Sequence, residues 1–228
     1  MVKKLLILTF ISLGTLLALG VNLALAENNS SLADNLTATK IQIPFPANFK
    51  KWPEPAATPT SSTSGGVVTL TYSTTIWGTV TADFADFRAK VAQTLADSRG
   101  WVRANVRFQE VDSGADFQII LSDPDHLEAL PGCSGELSCT TWSNQVIIND
   151  LRWLGGTPSS NAHGVSQRDY QHMVVNHEVG HWLGHYNHIE SCPNGGPAPI
   201  MLQQSTGLRG CDSFNSWPLD SELWTRFN

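Results

Sequence analysis

Four of the chain's seven histidines fall within HEVGHWLGHYNH, at positions 177–188. His177, Glu178 and His181 have the spacing H-E-x-x-H. Residues four apart share one face of a helix, so both histidines can bind one metal ion while Glu178 lies beside them. The spacing predicts a catalytic site with Zn²⁺ as cofactor. Glu178 would act there as general base and then as acid on a metal-activated water.

The residues around this motif favour a buried helix over a surface helix that carries two histidines by chance. The stretch SQRDYQHMVVNHEVGHWLGH, 166–185, keeps apolar residues at helical spacing. Ser166 is a suitable N-cap with Asp169 three residues later, and Gly184 suits the turn that ends a helix. A buried pair of histidines needs partners, and a metal ion supplies them.

The remaining elements must position this helix. One further helix is predicted at 83–98, where apolar residues recur at helical spacing. Short apolar and alternating stretches predict four strands, at 67–73, 104–111, 116–122 and 144–150. This order of elements predicts an α+β fold with a small twisted mixed sheet and two main helices.

The start of the chain predicts export. Residues 1–26 have a basic start, an apolar run and an A-x-A ending, which is typical of a cleaved signal peptide. The same run is long enough to be an uncleaved membrane anchor, the alternative interpretation. Residues 27–66 are rich in Ser, Thr and Pro and predict a linker, and 67–228 predict a single domain. The protein is therefore expected to be secreted, or tethered to the outer face of the cytoplasmic membrane, and monomeric.

All four cysteines lie in the predicted domain, at positions 133, 139, 192 and 211. An even number in an oxidising compartment predicts two disulfides. Of the three possible pairings, nearest-neighbour pairing favours Cys133–Cys139 and Cys192–Cys211. Thiolates in a zinc site are the less favoured alternative, because paired C-x-x-C motifs are missing.

The charge of the chain argues against nucleic acid as a partner. The net charge is −6 at pH 7. Without Lys3 and Lys4, 12 basic residues remain against 20 acidic ones. Binding to duplex nucleic acid depends on clustered Lys and Arg, which such a chain lacks.

The motif, taken with later residues, resembles a known class of zinc peptidases. It resembles the metzincin signature H-E-x-x-H-x-x-G-x-x-H with its later Met-turn, for which Met201 is the candidate residue. A narrower resemblance covers nearly all of residues 67–228. The domain looks like a secreted, mainly actinobacterial family of unknown function with HExxHxxGH, a Met-turn and a predicted zinc site. The stretches that carry it are RGW (99–101), INDLRWL (148–154), DYQHMVVNHEVGHWLGH (169–185), Cys192-Pro193, APIMLQQSTGL (198–208) and the segment from Cys211 to Trp217-Pro218.

The resemblance implies an arrangement for the whole site. It implies a metzincin-like domain in which the ligand helix lies below an active-site cleft. The Met-turn would form an apolar floor beneath the zinc, closed into a loop by Cys192–Cys211. The 139–149 region would supply an edge strand as the upper rim, to which an extended peptide adds by main-chain hydrogen bonds.

The third metal ligand is where this chain departs from the family. Members read G-H-x-H after the helix, whereas this chain reads GHYNH at 184–188, one residue longer. Asn187 holds the signature position and is a poor neutral ligand. A loop absorbs an inserted residue readily, so His188 is predicted as the third ligand. His185 is the alternative, although it follows Gly184 so closely that it would need a sharp reversal.

Several other residues are weaker candidates. Asp150 and Asp169 could orient the ligand histidines, and Tyr186 could stabilise an oxyanion. The expected function is an exported zinc-dependent endopeptidase that hydrolyses peptide bonds in a peptide or protein substrate. The alternative is a non-catalytic cell-envelope protein with a structural zinc. In that alternative, His185 and His188 would both bind and close the fourth coordination position.

Overall fold

The computed structural model describes residues 62–64 and 66–227 of the 228-residue chain. The predicted signal peptide, 1–26, and most of the predicted linker, 27–66, lie outside the described residues. Within the described part, no helix combines the length and the apolar character needed to cross a membrane.

A six-stranded mixed sheet forms one layer of the domain. Its strands are β1 Ser62–Ser64, β2 Val67–Trp77, β3 Val106–Glu110, β4 Phe117–Ser122, β5 Cys139–Thr141 and β6 Gln145–Asn149. The order is β1-β2-β4-β6-β5, and β3 also pairs with β2. The pairs β2–β3, β2–β4 and β4–β6 are parallel, whereas β1 and β5 run antiparallel to their neighbours. The predicted α+β class with a small mixed sheet is confirmed.

Two long helices pack with this sheet, as the sequence predicted. The helices are α1 Phe84–Ala96, α2 Pro124–Glu128, α3 Asp150–Gly155, α4 Pro158–Ala162 and α5 Gln167–Leu183, with 3₁₀ turns at Trp101–Ala104 and Asp220–Glu222. The short helices α3 and α4 lie between β6 and α5, where the sequence predicts a loop with one helical turn at most. Their starts are capped by Asn149 and Thr157, whose side chains accept from backbone N–H groups. Such local caps stabilise helices that hydrophobic spacing does not reveal.

The sheet begins earlier than the strand pattern indicates. β1 lies within the segment 27–66 and pairs antiparallel with the start of β2, from Ser62 opposite Thr69 to Ser64 opposite Val67. Its residues are Ser and Thr, so its pairing depends on main-chain hydrogen bonds and carries no apolar signal. The described sheet therefore extends beyond the predicted start at residue 67.

Helix α5 runs through the core. Every residue from Tyr170 to Leu183 is buried, including the polar ones. Ser166 caps its start by accepting from the Asp169 N–H, and Gly184 ends it at φ 120°, in the region that favours glycine. A helix that is buried on all sides holds its side chains in fixed positions, because both the sheet side and the C-terminal segments pack against it.

Two disulfides tie the irregular segments down. Cys133 is bonded to Cys139, the first residue of β5, and Cys192 is bonded to Cys211. These are the predicted pairs, and the described residues contain no free cysteine. The second bond closes a loop that contains Met201. Disulfides of this kind indicate an oxidising environment.

Candidate metal centre

Two histidines of helix α5 are held by carbonyl oxygens. The Nδ1 atom of His177 lies 2.7 Å from the carbonyl oxygen of Ile200, and Nδ1 of His181 lies 2.7 Å from that of His185. A carbonyl oxygen only accepts, so both Nδ1 atoms carry the proton and donate. Burial lowers the pKa of His177 to about 4 and that of His181 well below its usual value. Both rings are therefore neutral near pH 7, with a free lone pair on Nε2.

A third histidine brings its ring to the same point. Nε2 of His188 lies 3.2 Å from Nε2 of His177 and 3.2 Å from Nε2 of His181. Two nitrogens bound at the usual distance to one tetrahedral Zn²⁺ would stand about 3.3 Å apart. The lone pairs of His177 and His181 face His188, which has at most one proton to offer at that atom. The three side chains could hold one metal ion, and their neutral imidazoles suit zinc and other transition metals.

The three histidines of the candidate centre differ in exposure. His177 and His181 are buried, whereas His188 is exposed. The loop that carries His188 is fixed next to it, where the N–H of Ile189 donates to the carbonyl oxygen of Met201 at 2.9 Å. The candidate site therefore has two histidines on a rigid helix and one on a loop, where the backbone next to His188 is fixed by its contact with Met201.

His185, the alternative third ligand, is occupied elsewhere. Its Nε2 lies 3.0 Å from the carbonyl oxygen of Trp224, to which it donates. Its ring packs against the rings of Trp224 and Trp101, with centroids 3.9 Å and 5.0 Å away. Its own carbonyl is the acceptor for His181. His185 therefore supports His181 through its backbone, and its own ring is not part of the histidine triad.

Glu178 faces the same cavity as the three histidines. Its side chain is buried, and the hydroxyl of Thr140 lies 2.9 Å from Oε2 and 2.8 Å from the Glu178 carbonyl oxygen. Burial raises the pKa of Glu178 to about 8, against the lowering effect of the Thr140 hydrogen bond. A raised pKa makes the carboxylate a stronger base, which suits a group that takes a proton from water.

Strand β5 forms one wall of this cavity. The space has a volume of about 290 Å³ and is lined by the histidines, Glu178, Tyr186, the 132–134 and 137–140 residues and Gln203 to Ser205. β5 pairs with β6 on one side only within the described sheet. Of the predicted rim region 139–149, Cys139 and Thr140 line the cavity, and Thr140 contacts Glu178.

Met201 lies beneath the ligand helix. It is buried, and a Cβ added to Gly180 would stand 2.5 Å from its Sδ and 2.8 Å from Cζ2 of Trp101. The absence of a side chain at 180 is what allows this approach, because a contact so short cannot be relieved against packed neighbours. Met201 therefore packs against the helix at Gly180, three residues after His177 and one before His181. Its role as an apolar floor beneath a metal ion stays a prediction.

The predictions for Asp150 and Asp169 are wrong. The Asp150 carboxylate accepts from the N–H groups of Thr81 and Ala82, at 2.8 and 3.0 Å, and starts helix α3. Asp169 is bonded to Ser166 and Arg168 at the start of α5. Neither contacts a ligand histidine. Backbone carbonyls orient His177 and His181 instead. Because every residue has a backbone carbonyl, residue type does not predict such a contact.

Sequence reasoning also missed Glu222. Its buried carboxylate accepts from the N–H groups of Ile200, Met201 and Leu219 at 2.9, 2.8 and 2.8 Å. Burial raises its pKa, against the lowering effect of these three donors. The residue lies in the C-terminal segment, at the end of the 3₁₀ turn Asp220–Glu222. No pattern connects it to a motif more than twenty residues away.

Comparison with known families matches most of the chain. A model of the family described as "Protein of unknown function (DUF3152)" matches residues 47–223. The chain belongs to this family. The DUF3152 match includes the three histidines, Glu178, Met201, Glu222 and all four cysteines. No curated protein matches the chain.

Proposed function

We propose that this DUF3152 protein is an exported zinc-dependent endopeptidase of the metzincin-like type. The observation that carries the proposal is the convergence of three Nε2 atoms beside a buried glutamate in one open cavity. His177, His181 and His188 would hold the ion. Zn²⁺ bound there would supply a Lewis acid that activates water and polarises a peptide carbonyl.

The chain's own groups would then handle the proton. Glu178 would accept a proton from the attacking water at its carboxylate and return it to the leaving amine. The Thr140 hydroxyl donates to Oε2 and so limits the orientations of that carboxylate. A peptide or protein substrate would lie along β5, where an edge strand can pair with an extended chain.

The position of His185 supports catalysis over the structural-zinc alternative. A structural site has four protein ligands, whereas a catalytic site keeps one position for water or substrate. His185 was the residue that could fill that position, and its Nε2 donates to Trp224 instead. The cavity next to Glu178 gives a substrate access to the open position.

The test is cleavage of an unfolded protein by the zinc-loaded full chain and by its Glu178→Gln variant. We expect one zinc per chain in both, with cleavage by the wild type and a loss of at least about 1,000-fold in the variant. Glu110→Gln, at the far edge of the sheet on β3, is the matched control and should keep full activity. Bound zinc without cleavage in either protein would favour the non-catalytic envelope protein.

A further inference from the structure

The peptide group between Ile200 and Met201 joins two side chains. Its carbonyl oxygen, on Ile200, accepts from Nδ1 of His177 at 2.7 Å. Its N–H, on Met201, donates to Oε1 of Glu222 at 2.8 Å. A carboxylate, one peptide group and an imidazole are therefore connected in a single row of hydrogen bonds that ends at a ligand nitrogen.

Such a row transmits charge. Hydrogen bonds in a chain polarise one another, and a carboxylate at one end strengthens the bonds that follow. Metal-binding histidines commonly donate their second nitrogen to a carboxylate or a carbonyl, which fixes the ring and raises its basicity. Here the Ile200 carbonyl accepts directly from His177, and the Glu222 carboxylate acts on it through the Ile200–Met201 peptide group.

We propose that Glu222 is a positioning residue for the metal centre, acting on His177 through the Ile200–Met201 peptide. It has two effects. Its oxygens fix the peptide that fixes the His177 ring, and its negative charge raises the electron density on Nε2. Because Met201 also accepts from the Ile189 N–H, the same peptide segment holds the loop beside His188. The inference rests on the metal-binding part of the proposed function and is independent of catalysis.

His181 provides an internal comparison. Its acceptor is the His185 carbonyl, at the same 2.7 Å. The N–H of that peptide, on Tyr186, donates to the carbonyl oxygen of Gly184 at 2.9 Å. At the far end of the row from His181, the acceptor is the neutral carbonyl of Gly184, whereas the row from His177 ends at the Glu222 carboxylate. The two rings have equal hydrogen-bond lengths and different electrostatic support.

The experiment measures Zn²⁺ affinity of the full chain by competition with a chromophoric chelator, for wild type, Glu222→Gln and Asp150→Asn. Asp150 is the matched control, since it is also a buried carboxylate that holds backbone N–H groups. We expect Glu222→Gln to weaken zinc binding at least about tenfold. Asp150→Asn should keep wild-type affinity even where it lowers Tm. Equal affinity for all three proteins, or an equal loss in both variants, would overturn the role.

A second measurement needs no variant that could fail to fold. In the zinc-loaded wild type, the Nδ1–H proton of His177 should resonate further downfield than that of His181, because its hydrogen bond is strengthened by a charge. The two protons are assigned in the wild type by their through-space contacts, to Ile200 for His177 and to His185 for His181. An equal or reversed order of the two resonances would contradict the charge transmitted from Glu222.

Discussion

The two helix histidines and the loop histidine of the candidate centre are positioned by different means. His177 and His181 sit on a helix enclosed by the core, and each ring is fixed by a carbonyl at 2.7 Å. His188 is exposed, and the backbone next to it is held by the hydrogen bond from the Ile189 N–H to the Met201 carbonyl oxygen. The first pair is built into the fold, whereas the third ligand is delivered by a segment that could differ in length. Preorganised ligands contribute more affinity because less conformational freedom is lost on binding.

The largest effect should follow removal of a helix ligand. His177→Ala or His181→Ala leaves one helix ligand and the exposed loop ligand. Binding then loses a preorganised ligand and still requires the loop to be ordered. We expect zinc affinity to fall at least about 1,000-fold, as measured by competition with a chelator. Retention of near-wild-type affinity in either variant would show that the helix pair is not the centre of the site.

Removal of the loop ligand should cost less. His188→Ala keeps the preorganised helix pair, to which water can add. We expect a loss of about 100-fold in zinc affinity by the same assay. Asn187→Ala is the neighbouring control and should bind as wild type. If Asn187→Ala weakens binding and His188→Ala does not, the third ligand has been assigned to the wrong residue.

The two disulfides should differ in their effects on stability and on zinc affinity. The chain-entropy model gives a contribution of about 3 kcal/mol for Cys192–Cys211 and about 2 kcal/mol for Cys133–Cys139, with sequence separations of 19 and 6. The paired Ser variants should show this order in urea unfolding. Zinc affinity should fall more in the 192/211 variant, whose loop carries Met201. The reverse order in affinity would place the control of the centre at the β5 side.

The smallest effect concerns a helix histidine that binds no metal. Nδ1 of His172 lies 2.8 Å from Oγ1 of Thr94, and burial lowers the pKa of its ring. A lowered folded-state pKa adds stability that is present above the unfolded value near 6.5 and lost as pH falls. With zinc removed by a chelator, His172→Gln should therefore lose less stability than wild type between about pH 7.5 and 5.5. Equal losses in urea unfolding would mean that His172 does not contribute.

The sequence predicted the features that depend on neighbouring residues, and it missed those that depend on other contacts. The elements around HExxH follow from periodicity and caps, because hydrophobic spacing and Ser166 or Gly184 act locally. Both long helices and four of the six described strands, β2, β3, β4 and β6, were predicted within a few residues. The short helices α3 and α4 were not, since side-chain caps at Asn149 and Thr157 determine them. β1 was missed because its serines carry no apolar alternation.

The groups that orient the histidines of the site could not be predicted from the sequence, for a different reason. The partners of His177 and His181 are backbone carbonyls, which every residue has, so residue type cannot reveal them. Glu222 meets Ile200 and Met201 only after the C-terminal segment folds back. Asp150 and Asp169 were plausible by chemistry, but backbone donors and an N-cap use their carboxylates. Long-range contacts of this kind are set by tertiary packing and not by spacing.

The uneven burial of the three rings also has a kinetic meaning. An ion held by His177 and His181 is enclosed on the helix side by packed core, where opening requires global or near-global unfolding. His188 is the ring that meets bulk water, and exposed loops move on nanosecond to microsecond timescales. Entry and release of the metal should therefore follow the motion of a single loop, so that exchange can be fast in a domain whose equilibrium affinity is set by its most rigid helix.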